Sequence, residues 1–566
     1  MPPPDSALET LRREGAALLL DWARLLAPHY GPAGSMDLDL RDWPGAQGPS
    51  YYNQFGAHAL LLLATGEVPG ADEAERARYR ELALRNIGYV LSITADDFHT
   101  PHYSRGRDWG RHVGEWINYY LLCALELMER HTVGPAELRQ QVRAAVTGAV
   151  ALLHARFVEK FRTTPAEFPG NHDVWHGLLF YRAGRTLGRP EWTEFARDFM
   201  HRCVLPFQAA DGYWPEGHGI VVGYSLITAQ AISQYAELAD DAAARASIVR
   251  FLGFFNHLGF PDGSSSVALD VRMRYTAAPF MFVPPGLLAL PQQRRRLGAR
   301  LAAARAHLRQ HGARDNLAQA FAFYGSFAEH LFGVQPPDNP ATVPSPRHLP
   351  AAVLAASAWR AVVAWQLVPE HPSRFVLDAQ NFIELWHVRA GYLAGTGGSK
   401  YMPRFSTLRR TDGGRAYLPT AARCNRVTAD EVEAVYRFDD DEIAVSVVLT
   451  GETCRVTAAL VREAGARAYE FALILALRPG EVLRSEHGED RLDPTVLIQH
   501  HGGPRPQRGL VWRDLDWQLP AGTQLDYPLV PHNSYTQDGL PAPKDYVGRL
   551  SFAITVAPKT ITIRPA

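Results

Sequence analysis

No run of apolar residues in this 566-residue chain approaches the roughly 18 needed to cross a bilayer. The stretch Ala59 to Ala64 is far too short and reads as buried helix. Charge of one sign is also missing. The formal net charge is −1, so no global field draws the chain to nucleic acid or to an anionic membrane. Cysteine is scarce: Cys123, Cys203, Cys424 and Cys454 are far apart with no CxxC, which favours free thiols over disulfides or a metal. There is no GxGxxG after a strand, no Walker loop, no GxSxG elbow and no HExxH. Nucleotide-binding and serine-hydrolase readings therefore lack support, and neither a metal nor an organic cofactor is expected. His172 and His176 would share a helix face as a zinc pair does, but the residues between them are not those of a zinc motif. The opening residues Met1 to Glu14 lack the charged, apolar, small-residue order of a secretory signal, and a cytoplasmic location is the expectation.

What is present is ordinary globular composition, 46% hydrophobic and 21% charged, in a chain too long for one compact core. Residues 5 to about 335 carry helical periodicity, as in Leu18, Trp22 and Leu25. Helical patterns cover about 54–65, 73–94, 111–131, 135–160, 172–187, 190–209, 224–239, 241–257, 288–310 and 315–332. Sequential pairs joined by short Pro/Gly loops predict an (α/α) toroid or a solenoid rather than a four-helix bundle. Residues 336–373 are Pro-rich and polar at their start and read as a linker, with one more helix at about 350–366. From Arg374 to the end, β-branched and aromatic runs such as Glu442–Leu449 predict an antiparallel β-sandwich. The expected fold is thus α+β: a toroid over 1–335, a linker over 336–373 and a sandwich over 374–566.

Chemistry concentrates in four stretches of the helical half. The first runs from Ala210 to Tyr224 and holds Tyr213, Trp214, Glu216, His218 and Tyr224 among several glycines. It suits a site that stacks on a sugar and moves a proton, and it is equally compatible with an interhelical loop around a buried His and Tyr. The second holds Asn171, His172, Asp173, Trp175 and His176. Asn171 follows Pro-Gly and is placed to cap the next helix, although a cap needs none of its neighbours. The third holds Arg105, Arg107, Trp109 and Arg111, able to meet a carboxylate and a sugar ring or to form surface pairs with Asp108. In the fourth, Arg272 and Arg274 would point the same way if extended and together grip a carboxylate, or each would pair with an acid such as Asp270.

A long helical half followed by a β half, with Gly170-Asn171-His172 in one loop and Asp211-Gly212-x-x-x-Glu216-Gly217-x-Gly219 then Gly223-Tyr224 in a later one, resembles the heparinase II/III-like polysaccharide lyases, and more distantly the hyaluronate and chondroitin lyases. The resemblance implies a toroid carrying the active cleft and a β-sandwich beside it. It implies that Asn171 binds a uronate carboxyl with His172 beside it, that Tyr224 is the catalytic tyrosine and that Glu216 is the acid of the Asp-Gly loop. His218 stands one residue out of register with the histidine of the hyaluronate-lyase loop, and Val222 occupies a place held there by glycine.

The implied activity is β-elimination on uronic-acid-containing oligo- or polysaccharides. Catalytic candidates are Tyr224, His172, His218, Asn171 and Glu216; substrate-binding candidates are Trp214, Tyr213, Trp175, Arg105, Trp109, Arg272 and Arg274. Negative charge builds on the uronate carboxyl as its α-proton leaves, so Asn or Arg stabilises the transition state. A tyrosine base, ordinarily near pKa ~10, needs a cation beside it. Two alternatives stay open: a glycoside hydrolase using Asp173 and Glu216 on the same toroid, and a non-catalytic carbohydrate-binding protein. No nucleic-acid or membrane partner is expected.

Overall fold

The computed structural model describes residues 4–566 apart from 37–54, 99, 102, 105–106, 109–113, 217–218, 263, 273–282, 312–316, 334–337, 340, 369–370, 377–380, 396–401, 413–414, 466, 486–487, 502–506 and 535–537. Among the described residues, eleven α-helices occupy the first part: α1 (Pro4–Leu26), α2 (Ala57–Thr65), α3 (Glu73–Ile93), α4 (Gly114–Arg130), α5 (Ala136–Lys160), α6 (Asn171–Thr186), α7 (Pro190–Phe199), α8 (Val222–Ala239), α9 (Ala242–His257), α10 (Pro291–His311) and α11 (Leu317–Gly333). Their bounds fall close to those expected from periodicity. Local signals set several ends. Asp72 and Glu75 form a reciprocal capping box at the start of α3, and Asp241 accepts from Ala243 and Ala244 at the start of α9. Pro206 ends the α7 run, which passes through a π turn, Met200–Val204, before stopping at Leu205–Phe207.

Burial separates the helices into two rings. In α8, Leu226, Ile227, Ala229, Ala231, Ile232 and Tyr235 are buried around the whole circumference; α5 buries one stripe, Val142, Val146, Ala149, Val150 and Phe157. A helix apolar on all sides belongs inside, and one with a single stripe belongs outside. Accordingly α11, α2, α4, α6 and α8 pack in succession as an inner ring, with α3, α5, α7 and α9 outside their partners and α1 on α10 and α11. The ring closes between α8 and α11, where Gln230 Nε2 donates to the Phe323 carbonyl at 2.7 Å and the 3-10 turn Pro285–Ala289 lies against both helices. This is the expected (α/α) toroid. Among the described residues of this half, only Tyr103–Ser104 and Arg107–Asp108 pair as strands.

Among the described residues of the rest, two antiparallel sheets form. A nine-stranded sheet runs from Gly488–Arg491 at one edge to Ala421–Val427 at the other; the second contains strands from Ala351–Ala355 to Ile498–His501. Ile443, Val445, Val447 and Leu449 alternate inward, as period-2 side chains of a half-buried strand must, and meet Phe471, Leu473, Leu475 and Phe552 of the other sheet in one core. The expected helix at 350–366 is not formed. Ala351–Ala355 and Trp359–Ala364 are paired strands with Val353 opposite Val362, so the second sheet begins inside what the sequence suggested was linker. Alanine-rich composition favours helix locally, but pairing with Ile383–His387 and burial of Trp359, Val362 and Val363 outweigh that preference.

Three of the four cysteines, Cys123, Cys203 and Cys454, are buried free thiols, and Cys424 is half-buried and also free. No helix among the described residues is long and apolar enough to cross a membrane.

Candidate functional site

The N-termini of the neighbouring inner helices α4, α6 and α8 supply the site's central residues. Gly170 precedes α6 at φ +101°, a conformation that favours glycine, and a Cβ there would sit 3.7 Å from Glu216 Oε2. The expected cap at Asn171 is corrected: Gly170 holds the cap position, and Asn171 is the first helical residue. Its backbone N–H donates to Glu216 Oε2 at 3.3 Å, while its buried side-chain Oδ1 has no hydrogen-bond partner. An unmatched buried amide oxygen at a helix start is costly unless a ligand uses it. At α8, the cap comes from a distant loop: Asp270, buried, accepts from Val222 N at 2.7 Å. Gly219 lets that loop approach, since a Cβ would lie 2.5 Å from Val271 Cγ1.

Two residues beyond Asp270, Arg272 is held by an antiparallel bridge to Val376. Its guanidinium lies 4.9 Å from the Tyr224 ring centre, 5.3 Å from that of Phe375 and 3.4 Å from Glu216 Oε1. Glu216 and Arg272 keep small exposures, 15% and 18% of their side chains, so the pair is largely shielded from water yet reachable. Asn171, Glu216, Arg272 and Tyr224 therefore form one continuous set.

His172 extends it toward α4. Nδ1 lies 2.6 Å from Glu115 Oε1, and the ring packs on Trp116 with centres 4.8 Å apart. Glu115 is fully buried; burial pushes its carboxyl up to about 8. Burial likewise holds His172 down, to about 4. His176, one turn on, stacks on Phe157 with centres 4.4 Å apart, accepts nothing from Glu115 beyond a 3.9 Å approach, and donates Nδ1–H to the His172 carbonyl at 2.9 Å. Asp173 receives both oxygens' hydrogen bonds from Lys160, at 3.0 and 2.9 Å.

The sugar-stacking role expected of Trp175 and Trp214 is corrected by their burial, since neither ring is exposed. Trp175 stacks on Phe323 and donates to the Ile227 carbonyl at 3.2 Å; Trp214 packs near Phe251 with centres 6.0 Å apart. Both belong to the toroid core. Tyr213 is half-buried against Phe254. His218, Arg105, Trp109 and Arg274 lie outside the described residues. Sequence reasoning missed Glu115, which reads as an ordinary acid in the first turn of a helix, and Phe375, which precedes a strand in the other half of the chain. The Glu115-Trp116 pair at a helix start, level with Asn171-His172 on the next inner helix, was the available signal.

Chemically, the set offers a phenol beside a cation, an amide with an unmatched oxygen and an imidazole backed by a buried acid, while the first N–H groups of α6 and α8 are already taken by the Glu216 and Asp270 carboxylates. No family model matches the sequence, and no curated protein matches it. Among solved structures, the chain is similar in fold to the chondroitin AC lyase of Streptomyces coelicolor A3 solved with chondroitin sulphate, at 14% identity over 100% of this chain and 83% of that one, with a TM-score of 0.49. It is also similar to heparan sulfate lyase HepC from Pedobacter heparinus, at 13% identity over 97% of this chain and 88% of that one, with a TM-score of 0.41. An unsaturated glucuronyl hydrolase specific for heparin matches over 57% of this chain and 96% of its own, at 12% identity and a TM-score of 0.38. At these identities the likeness is one of fold alone.

Proposed function

We propose that this protein is a carbohydrate-active enzyme that cleaves uronic-acid-containing oligo- or polysaccharides by β-elimination. The observation that carries the reading is the Tyr224–Arg272–Glu216–Asn171 set, in which a guanidinium lies 4.9 Å from the tyrosine ring beside a helix start that leaves an amide oxygen unmatched. The substrate's carboxylate would settle against Arg272 and the side-chain NH2 of Asn171, which are donors, and the unmatched Asn171 Oδ1 would accept from a sugar hydroxyl. Tyr224, as phenolate, takes the proton α to that carboxyl. The electron pair forms the new double bond as the bond to the departing glycosidic oxygen breaks, and the Tyr224 hydroxyl returns the proton to that oxygen. Among the described residues, Arg272 is a cation within reach to offset phenolate charge, and with Asn171 it stabilises the charge developing on the carboxyl.

A hydrolase on the same toroid needs Asp173 as acid or base. Asp173 engages Lys160 through both oxygens, an ion pair that such a role would have to give up. The test is a panel of uronic-acid oligosaccharides followed by ultraviolet absorbance and mass spectrometry. Elimination creates an absorbing conjugated double bond and products whose masses sum to that of the substrate. Products that together gain one water, with no new absorbance, would overturn the lyase reading in favour of hydrolysis.

A further inference from the structure

The lyase reading leaves Glu115 without a task, although it is fully buried on the inner ring directly behind His172. Among the described residues, the side chains within ion-pair distance of Glu115 are the imidazoles of His172 and His176. The other charged groups around them are already engaged: Asp173 with Lys160 from α5, and Glu216 with Arg272 from the loops. A carboxyl oxygen and an imidazole nitrogen 2.6 Å apart share one hydrogen. That hydrogen belongs either to the acid, facing an Nδ1 lone pair, or to Nδ1, facing a carboxylate. The second arrangement, with hydrogen kept on Nε2, is a carboxylate–imidazolium pair; among the described residues no Lys or Arg stands against that carboxylate, and holding both charges out of water is costly.

We propose that Glu115 is a positioning residue that is protonated in the resting enzyme, donates its hydrogen to His172 Nδ1, and so holds His172 as the neutral tautomer carrying hydrogen on Nε2. The function assigned to it rests on the lyase reading; the tautomer does not. Placing the acid hydrogen on the other oxygen, Oε2, would aim it at His176 Nε2 across 3.9 Å, too far for a hydrogen bond. Burial drives both partners toward the uncharged pair; the nearby His176 and the Glu115 backbone N–H act the other way on Glu115 and are outweighed.

The consequence is a division of labour. Nε2, the nitrogen turned away from Glu115, is a hydrogen-bond donor. It can bind an oxygen of the uronate carboxyl or the departing oxygen, but it cannot accept the α-proton, which leaves that step to Tyr224. When Glu115 loses its proton to solvent, near pH 8, the carboxylate draws the imidazole hydrogen to Nδ1, and Nε2 gives up its hydrogen through solvent and becomes an acceptor. The donor is then lost, and a negative charge stands behind the site that binds a carboxylate.

The test reads the tautomer without substrate. Imidazole-¹⁵N-labelled full-length protein is titrated by NMR, and the His172 signals are identified by their loss in His172→Asn. The expected result is the Nε2–H tautomer at pH 7, converting to Nδ1–H above about pH 8. In Glu115→Gln, which is isosteric and cannot ionise, that conversion is absent, and so is the corresponding fall of at least tenfold in kcat/KM on the alkaline side. An Nδ1–H tautomer or an imidazolium at pH 7 overturns the proposal, as does an alkaline conversion that persists in Glu115→Gln. If the tautomer is as stated but no uronoside is cleaved, the lyase reading falls and the Glu115–His172 assignment stands.

Discussion

Replacing Glu384 by glutamine tests how the two halves of the chain are joined, because this one buried acid of strand Ile383–His387 ties the loop that carries Arg272 to the second sheet. Its Oε1 accepts from Val267 N at 2.9 Å and from Tyr392 Oη at 2.6 Å; its Oε2 accepts from Ala268 N at 3.2 Å and, in a short contact, from Ser266 Oγ. Four donors favour the carboxylate, yet complete burial outweighs them and pushes the group up from 4.5 to about 7. A folded-state value raised in this way means that stability is fully present below pH 4.5 and is lost as pH rises through about 7. At about 1.4 kcal/mol per pH unit, the loss is roughly 3 kcal/mol.

Glutamine is neutral at every pH and escapes that loss, but its amide nitrogen replaces one acceptor and leaves a buried donor unmatched, at about 1–3 kcal/mol. The variant should therefore be the less stable protein at pH 5 and should draw level with the parent by pH 8. For a cooperative unit of 150–250 residues, roughly 3 kcal/mol corresponds to a Tm change of about 6–12 °C. Thermal unfolding of both proteins at the two pH values measures it, and the Tm gap between them should narrow by about that much. A gap constant to within about 1 °C would show that Glu384 does not titrate between the two values, and the account of the interface would be refuted.

Tyr224→Phe keeps the ring and removes the hydroxyl; turnover on a cleaved uronoside should fall roughly 10²–10⁴-fold with KM little changed, while Asp173→Asn should cost far less. Full activity in the first and collapse in the second would transfer the chemistry to hydrolysis. Arg272→Ala removes the cation from beside Tyr224 and from Glu216, and kcat should drop on the order of 10²-fold, read from initial rates of absorbance. Trp175→Ala opens a cavity in the ring core, and denaturant unfolding should show a loss of about 3–5 kcal/mol. A variant of normal stability but weakened oligosaccharide binding would instead restore Trp175 to the ligand.

Much of the fold was legible because it follows from local periodicity. A helix buried on one side must repeat its apolar residues near 3.6, and a half-buried strand must alternate them, so the helices of the first half and strands such as Asp441–Thr450 show in the sequence. The hairpin Ala351–Ala364 was misread because its alanines suit a helix equally well, and only the neighbouring strand decides otherwise. In the site, the grouping of Asn171, His172, Glu216, Tyr224 and Arg272 could be anticipated from residue types able to do acid–base and carboxylate chemistry. The fate of the aromatic residues could not. Trp175 and Trp214 have the same local setting whether their rings face a sugar or the core, and it is the closure of the inner ring that buries them.

By itself, then, the sequence determined the order of helical and β halves, the places where helices start and stop, and the inventory of groups from which a site could be made. Those are properties of short windows, set by side-chain spacing, capping residues and backbone preferences. Tertiary structure decided which members of that inventory meet. Glu115 reaches His172 across 57 positions of chain, and Arg272 sits between Tyr224, from an earlier helix, and Phe375, from the segment that joins strands Trp359–Ala364 and Ile383–His387 of the second sheet. Such contacts depend on how the inner ring closes and how the sheets dock on it, and no local window encodes that. The same closure removes Glu115 from water, and so turns an unremarked acid at a helix start into the group that sets the proton of His172.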